Sequence, residues 1–401
     1  MKPTVAVLGT FDTKGEEFCY LIQCLESFHM AVITVDLGTR EQRYIPAHYR
    51  AAEGISLGQA GELSKDQWMK AMAASGAKTV QDLLREKRIQ GIISMGGGQG
   101  TFLANQIFRE LPLGMPKLLL STLALLKDSA SQFTGLNDTL VMNSLVDISG
   151  LNTILKDNIQ RAAGALAGML SFKVQAKNKE KKRAVGISCW GVTTPCVDVV
   201  RKTLEMRGYE VYVFHANGEG GTMLERFVRE GFLDGVVDVT LSEVSMPLAG
   251  SYQEPVRGRL ESSGSRRVPR VVAPGGLDMV LRHKGEAEGI VGRKVYFHTP
   301  DVVFVRSNIE ENRLFASVIS EKLNQCEGPV ALMLPLKGIS KVDVLGEIFF
   351  EPETDAVLFG MLKHCVSDKV EIIEMDCDIN HPAFGEKAAQ VLIDKIEGGE
   401  K

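Results

Sequence analysis

The chain is poor in the residues that would staple it or tie it to a charged polymer. Its seven cysteines (19, 24, 189, 196, 326, 365 and 377) are scattered, odd in number and never spaced C-x-x-C. That usage argues against a structural zinc site and fits reduced thiols. Aromatics make up only 6%, and no basic stripe accompanies them. With a net charge of −4, the chain offers no platform for direct nucleic-acid binding and no attraction to an anionic membrane. No apolar run approaches a membrane span. Met1-Lys2-Pro3 passes straight into Thr4-Val5-Ala6-Val7-Leu8 without a leader-like segment, so a cytoplasmic location is expected.

The chain is rich in ordinary core material. Hydrophobic residues at 44% and charged residues at 24% describe a folded protein, and 401 residues exceed what one core holds. The charged run Lys177-Asn178-Lys179-Glu180-Lys181-Lys182-Arg183 reads as an exposed linker. It follows a helix expected over 151–172 and separates domains over 1–176 and 184–401. Each half opens in the same way. Val5-Ala6-Val7-Leu8-Gly9 is a strand, followed by a polar turn, a helix over 16–28 and a strand ending at Asp36. After the linker come a strand over 185–189, the turn Trp190-Gly191-Val192-Thr193-Thr194-Pro195, a helix over 196–207 and a strand ending at His215. The alternation predicts two α/β domains of related architecture with mostly parallel sheets. Residues 253–267, polar and rich in Gly, Ser and Arg, read as an exposed helix with a mobile turn.

In parallel sheets ligands collect at the carboxyl ends of strands, so the turns there carry the functional reading. Gly96-Gly97-Gly98-Gln99-Gly100-Thr101 stands between the strand 91–95 and a helix. Such a loop either cradles an anion on bare amides at a helix start or is a tight glycine turn. It has neither the Gly-Lys-Thr ending of a Walker loop nor dinucleotide spacing. Around it the first half gathers Thr10, Asp12, Thr13 and Lys14 on one turn and Ser121 and Thr122 on another, the groups a polyphosphate needs. Asp36 stands where an acid accepts from a ribose, and Asp12 could hold a divalent cation. Asp12 and Thr13 are equally ordinary turn and capping residues. The second half offers a turn with Thr193 and Thr194, another with His215, Gly220 and Gly221, and the polar residues Glu243, Asp278, Arg306 and Glu310 beside apolar runs. Cys196 at a helix start, with His215 as base or Glu243 as acid, is a candidate catalytic group. We expect the cysteine to pack instead.

These motifs resemble a known family. Gly9-Thr10-Phe11-Asp12-Thr13-Lys14-Gly15-Glu16-Glu17, the glycine loop, Asp147-Ile148-Ser149-Gly150-Leu151-Asn152, Gly191-Val192-Thr193-Thr194-Pro195-Cys196, Val213-Phe214-His215-Ala216-Asn217-Gly218, Gly276-Leu277-Asp278-Met279 and Asn380-His381-Pro382-Ala383-Phe384 carry the likeness. The family is that of the ATP-binding N-terminal region of the tomato tobamovirus-resistance protein. The resemblance implies two Rossmann-like domains, ATP on the first, and a homodimer. It places Thr10, Asp12, Lys14, Gly97, Gly98, Gly100 and Thr101 on nucleotide motifs. The expected function is ATP binding with Mg²⁺, the second domain adding a small-molecule pocket. The alternatives are an enzyme acting on a small anionic metabolite without ATP turnover, and a nucleotide-gated binding protein.

Overall fold

A computed structural model describes residues 2–40, 44–55, 63–125, 137–172, 182–256, 258–261, 267–287 and 292–398. The chain divides into two compact units, Met1–Lys177 and Asn178–Lys401. Residues 177–181 of the expected linker lie outside the described residues.

The first unit is a parallel sheet of β1 (Thr4–Gly9), β2 (Ala31–Asp36), β3 (Tyr49–Arg50), β4 (Gly91–Gly96), β5 (Lys117–Ser121) and β6 (Leu140–Asn143). The spatial order is β3-β2-β1-β4-β5-β6. Its central strands are mainly apolar and buried almost end to end because helices cover both faces. Helices Lys65–Arg85 and Gly98–Arg109 pack on one face, Phe11–Ser27 and Thr153–Ser171 on the other. The last of these buries Leu155, Ile159, Ala162, Ala163 and Leu166, a stripe of helical spacing that starts from an Asn152 cap. Chain direction across the sheet reverses between β1 and β4, so Gly9 and Gly96 flank the crevice where doubly wound folds bind ligands.

The second unit has a parallel sheet of β7 (Ala184–Cys189), β8 (Glu210–His215), β9 (Gly235–Thr240), β10 (Arg270–Gly275), β14 (Val330–Pro335) and β15 (Val370–Met375), in the order β15-β14-β10-β9-β7-β8. Both units begin with a strand and its parallel neighbour. They diverge at the third strand, since β3 extends beyond β2 whereas β9 crosses to the other side of β7. A small antiparallel sheet of β11 (Met279–His283), β13 (Val302–Arg306) and β12 (Val295–Phe297) is an addition that period and composition did not announce. The exposed helix expected over 253–267 is a second departure. Among its described residues there is no helix, and Arg259 and Leu260 are fully buried in a turn. Their burial has an electrostatic cause, set out below. No helix among the described residues is long and apolar enough to cross a membrane.

Candidate functional site

At the β1–β4 crevice the glycine loop becomes the start of a helix. Gly97 is the N-cap of Gly98–Arg109 and its carbonyl accepts from Thr101 N at 2.9 Å. The amides of Gly98, Gln99 and Gly100 have no acceptor among the described residues, and Gly98 and Gln99 are exposed. The glycines are not equivalent. A Cβ on Gly96 would lie 2.9 Å from Gly100 Cα, so the turn itself demands glycine there. A Cβ on Gly98 would meet nothing within 4 Å, and its backbone is not left-handed. The fold therefore has no use for a glycine at 98, at some cost in helix stability.

Other first-unit residues are brought to the same sheet edge but are spent on the protein. Thr101 and Ser121 are fully buried and share a hydrogen bond of 2.7 Å, and Thr101 Oγ1 also donates to Gly96 O at 3.1 Å. These hydroxyls lock the loop to β5 and do not face a ligand. Thr122, half-buried, has its Oγ1 3.7 Å from where a Gly97 Cβ would be. Lys14 does not reach towards the loop: its backbone leaves helical geometry and Nζ donates to the Ile148 carbonyl. Thr10 and Thr13 bond each other at 2.9 Å.

Asp36 is sealed inside the turn. Its Oδ1 accepts from Phe11 N at 3.2 Å and Gly38 N at 2.8 Å, and it is 1% exposed. Asp12 Oδ2 accepts from Thr39 N and Arg40 N, both at 3.1 Å. The ribose contact expected of Asp36 is thus replaced by bracing of the β1 and β2 ends. Burial pushes the Asp36 carboxyl up, the two amides pull it down, and the charge of Asp12 raises it again. Asp12 Oδ1 and Asp36 Oδ2 are buried with no hydrogen-bond partner among the described residues.

The second-unit turns expected to form a pocket are occupied by the chain's own groups. Thr193 Oγ1 lies 2.7 Å from Thr240 Oγ1 and donates to Trp190 O at 3.1 Å, while Thr194 Oγ1 donates to the same carbonyl at 3.2 Å. Glu243 sits on the start of helix Glu219–Glu230, where its Oε1 accepts from Gly218 N at 2.6 Å and Gly221 N at 2.9 Å. A Cβ on Gly221 would collide with Glu243 Oε2, and one on Gly220 with the His215 carbonyl. These glycines admit protein atoms, not a ligand. His215 is exposed at the end of edge strand β8.

Glu243 belongs to a buried ion network that sequence reasoning missed. Arg259 donates to Glu243 Oε2 at 2.9 Å, to Glu225 Oε1 at 3.1 Å, and to both oxygens of Asp238 at 2.5 and 2.6 Å. Arg270 reaches Glu225 Oε1 and Oε2 at 3.0 Å and Asp238 Oδ2 at 2.9 Å. All five side chains are at most 2% exposed. This explains why the polar 253–267 stretch turns inward at Arg259. Glu243 is therefore held as a paired structural anion and is withdrawn as an acid–base candidate.

Asp278 and Arg306 do come together, in a second buried cluster with Ser340, Asp343 and Asp355. Arg306 also lines a cavity of about 340 Å³ with Arg293, Lys294, Glu310 and Glu351. Among the described residues no group of three or more His, Cys, Asp or Glu is arranged to hold a metal ion.

Cys196 is fully buried at the start of helix Thr194–Met206, among Val185, Val197 and Phe384 of the second-unit core. Burial, with Cys189, Asp378 and Cys377 nearby, pushes its thiol up to about 12, the reverse of an activated nucleophile. Iodoacetamide should therefore leave Cys196 unlabelled in the native protein and modify it only on unfolding. Cys196→Ser should cost about 1–2 kcal/mol through a poorly paired buried hydroxyl. Labelling of native Cys196 ahead of the other cysteines, followed by mass spectrometry, would refute the packing role.

The fold and these sites define a two-domain α/β protein that is Rossmann-like in both halves. Residues 3–175 match the Uncharacterised protein family (UPF0261) N-terminal domain and residues 182–396 its C-terminal domain, and the chain belongs to this family. A UPF0261 protein of Clostridium tetani is 37% identical over 99% of this chain and 100% of its own length. The ToMV resistance protein Tm-1(GCR237) of Solanum lycopersicum is 31% identical over 98% of this chain and 55% of its own. Among solved structures, Acinetobacter baumannii MurG covers 98% of this chain and 92% of its own at 10% identity, with a TM-score of 0.27. That score is too low to support an argument.

Proposed function

We propose that the first unit binds a nucleotide, ATP, with its phosphates on loop 96–101. The observation that carries this reading is the set of free amides on Gly98, Gln99 and Gly100 at the β1–β4 crevice, beside a glycine the fold does not require. Amides and the positive end of a helix favour an anion at that point. The second unit supplies an internal analogue: at its own glycine-rich helix start, the Glu243 carboxylate accepts from Gly218 N and Gly221 N. Among the described residues of the first unit no side chain fills the equivalent role, and a phosphate would. Thr122 is the hydroxyl best placed to join it. The phosphates, rather than a ribose at Asp36, anchor the molecule.

Mg²⁺ would accompany the nucleotide and neutralise phosphate charge. Asp12 Oδ1, a carboxylate oxygen without a hydrogen-bond partner, is the hard oxygen donor that suits it. Calorimetric titration of the full chain with ATP, with and without Mg²⁺, tests the proposal. Inorganic phosphate and ADP serve as comparison ligands. Tight phosphate binding with no gain for ATP would favour the alternative reading, a small anionic metabolite on the same loop. Absence of binding by all three would remove the loop from consideration.

A further inference from the structure

The second buried cluster stands apart from the nucleotide loop and rests on different residues. Asp278 and Asp343 are fully buried and Asp355 is 4% exposed. Facing these three carboxylates is one buried guanidinium, Arg306, which donates to Asp355 Oδ1 at 2.5 Å and approaches Asp343 Oδ1 at 3.5 Å. Its other donors go to Phe349 O at 2.7 Å, Asp278 O at 3.2 Å and Ser307 Oγ at 3.0 Å. Ser340 Oγ donates to Asp278 Oδ2 at 2.7 Å, and Ile339 N to Asp343 Oδ2 at 3.1 Å. Asp278 Oδ1 and Asp343 Oδ1 accept no hydrogen bond from any donor among the described residues. Glu351 lies 4.0 Å from Arg306 Nε and is paired with Lys294 at 3.2 Å, while Arg293 donates to Arg306 O at 2.8 Å and is paired with Glu311 at 2.6 Å.

Three ionised carboxylates against one arginine would bury two uncompensated negative charges, an arrangement a dry interior does not tolerate. Asp343 Oδ1 and Asp355 Oδ1 also stand against the same nitrogen of Arg306, Nη2, at 3.5 and 2.5 Å. Two buried carboxylates crowding one nitrogen repel each other, which favours a proton on one of the pair. Asp343 sits on the loop 336–351, between β14 and helix Pro352–Cys365, whereas Asp355 is on that helix and Arg306 ends β13.

We propose that the Asp343–Asp355 pair holds one proton in the folded protein, and that this proton latches the loop 336–351 to Arg306. The latch forms the wall behind the cavity of about 340 Å³, which Arg306 lines together with Ser307, Glu351 and Thr354. Burial, and then the charges of Asp278 and Asp355, push Asp343 up to about 9, with Arg306 opposing them. The sign follows from linkage. An acid raised on folding binds more protons in the native chain than in the unfolded one. Its contribution is complete below the unfolded value near about 4 and is lost as pH rises through about 9. Above that point the second negative charge repels Asp355 and the loop lets go.

Lys337 and Lys341 are exposed on this loop and report its release to trypsin. The full chain should be cut at these two lysines several-fold faster at about pH 9.5 than at about pH 7, relative to Asp343→Asn, whose amide keeps a donor and cannot titrate. An equal pH response in both proteins would overturn the latch. Infrared spectroscopy of the wild type in heavy water covers the case of a misfolded variant. A protonated carboxyl band should be present near neutral pH and vanish in alkali, and its absence near neutral pH would overturn the shared proton.

Discussion

Gly98→Asp should leave the protein folded, raise its melting temperature slightly without nucleotide, and abolish the response to ATP. A Cβ at this position meets no atom within 4 Å and the backbone is not left-handed, so the fold does not demand glycine there. A carboxylate in the first turn of a helix stabilises it by about 0.3–1 kcal/mol through the helix dipole. The same charge sits where a phosphate would bind, blocks close approach and repels it. At ATP a hundred times above its Kd, binding should stabilise the wild type by about 2.7 kcal/mol, a shift of several degrees for a unit of this size. Gly98→Ala separates the two effects, since a methyl adds bulk without charge and should weaken ATP less. Calorimetry and thermal melts of the three proteins check this. Undiminished affinity in the aspartate variant would show that the loop does not hold the phosphates.

The central strands of the two parallel sheets were legible because each is an apolar run covered on two faces, whereas the edge strands Tyr49–Arg50, Leu140–Asn143 and Val370–Met375 were not. Gly91-Ile92-Ile93-Ser94-Met95 and Val330-Ala331-Leu332-Met333-Leu334-Pro335 need no alternation to be recognised. The glycine loop was legible for the complementary reason, since few structures other than a tight strand-to-helix turn tolerate four glycines in five residues. What each polar residue does there was not legible. Thr101 and Thr122 look alike in sequence, yet one is locked to Ser121 and the other lies beside the loop. Asp36 ends its strand where a ribose acid belongs, but the Phe11 and Gly38 amides claim it first. Competition between a ligand and the backbone for one carboxylate is decided by ångström-scale geometry.

The second unit shows where composition misleads. Glycine-rich turns around His215 and Glu243 read as a ligand pocket, because a glycine making room for a ligand and one making room for a glutamate look the same. Two signals did point to the network that fills the space. Asp238 interrupts Val236-Val237-Asp238-Val239 in a strand buried from end to end, and Arg270 opens another such strand. A charge inside an apolar strand demands an opposite charge from elsewhere in the chain. The partner, Arg259, lies in a stretch whose composition suggests solvent, so only tertiary structure could supply it.

Arg259→Met should therefore be among the most destabilising single changes in the second unit, costing about 3–5 kcal/mol. Methionine conserves the chain's reach and apolar stem but removes every hydrogen bond to Glu225, Asp238 and Glu243. Three buried carboxylates would then face Arg270 alone, and Glu243 would lose its ion pair while still seated against Gly218 and Gly221. Adding Glu243→Gln to Arg259→Met should recover part of the loss, because the amide oxygen can still accept from both glycines and one negative charge is gone. Trp190, packed edge-on to Phe304 with ring centroids 5.3 Å apart, reports second-unit unfolding in a Trp68→Phe background. Urea titration at fixed pH then gives the three stabilities. A loss under about 1 kcal/mol for Arg259→Met would mean that water reaches these carboxylates and that the network is not sealed. A double variant no more stable than the single one would place the cost on Asp238 and Glu225, leaving Glu243 as a helix cap whose stability owes nothing to the arginine.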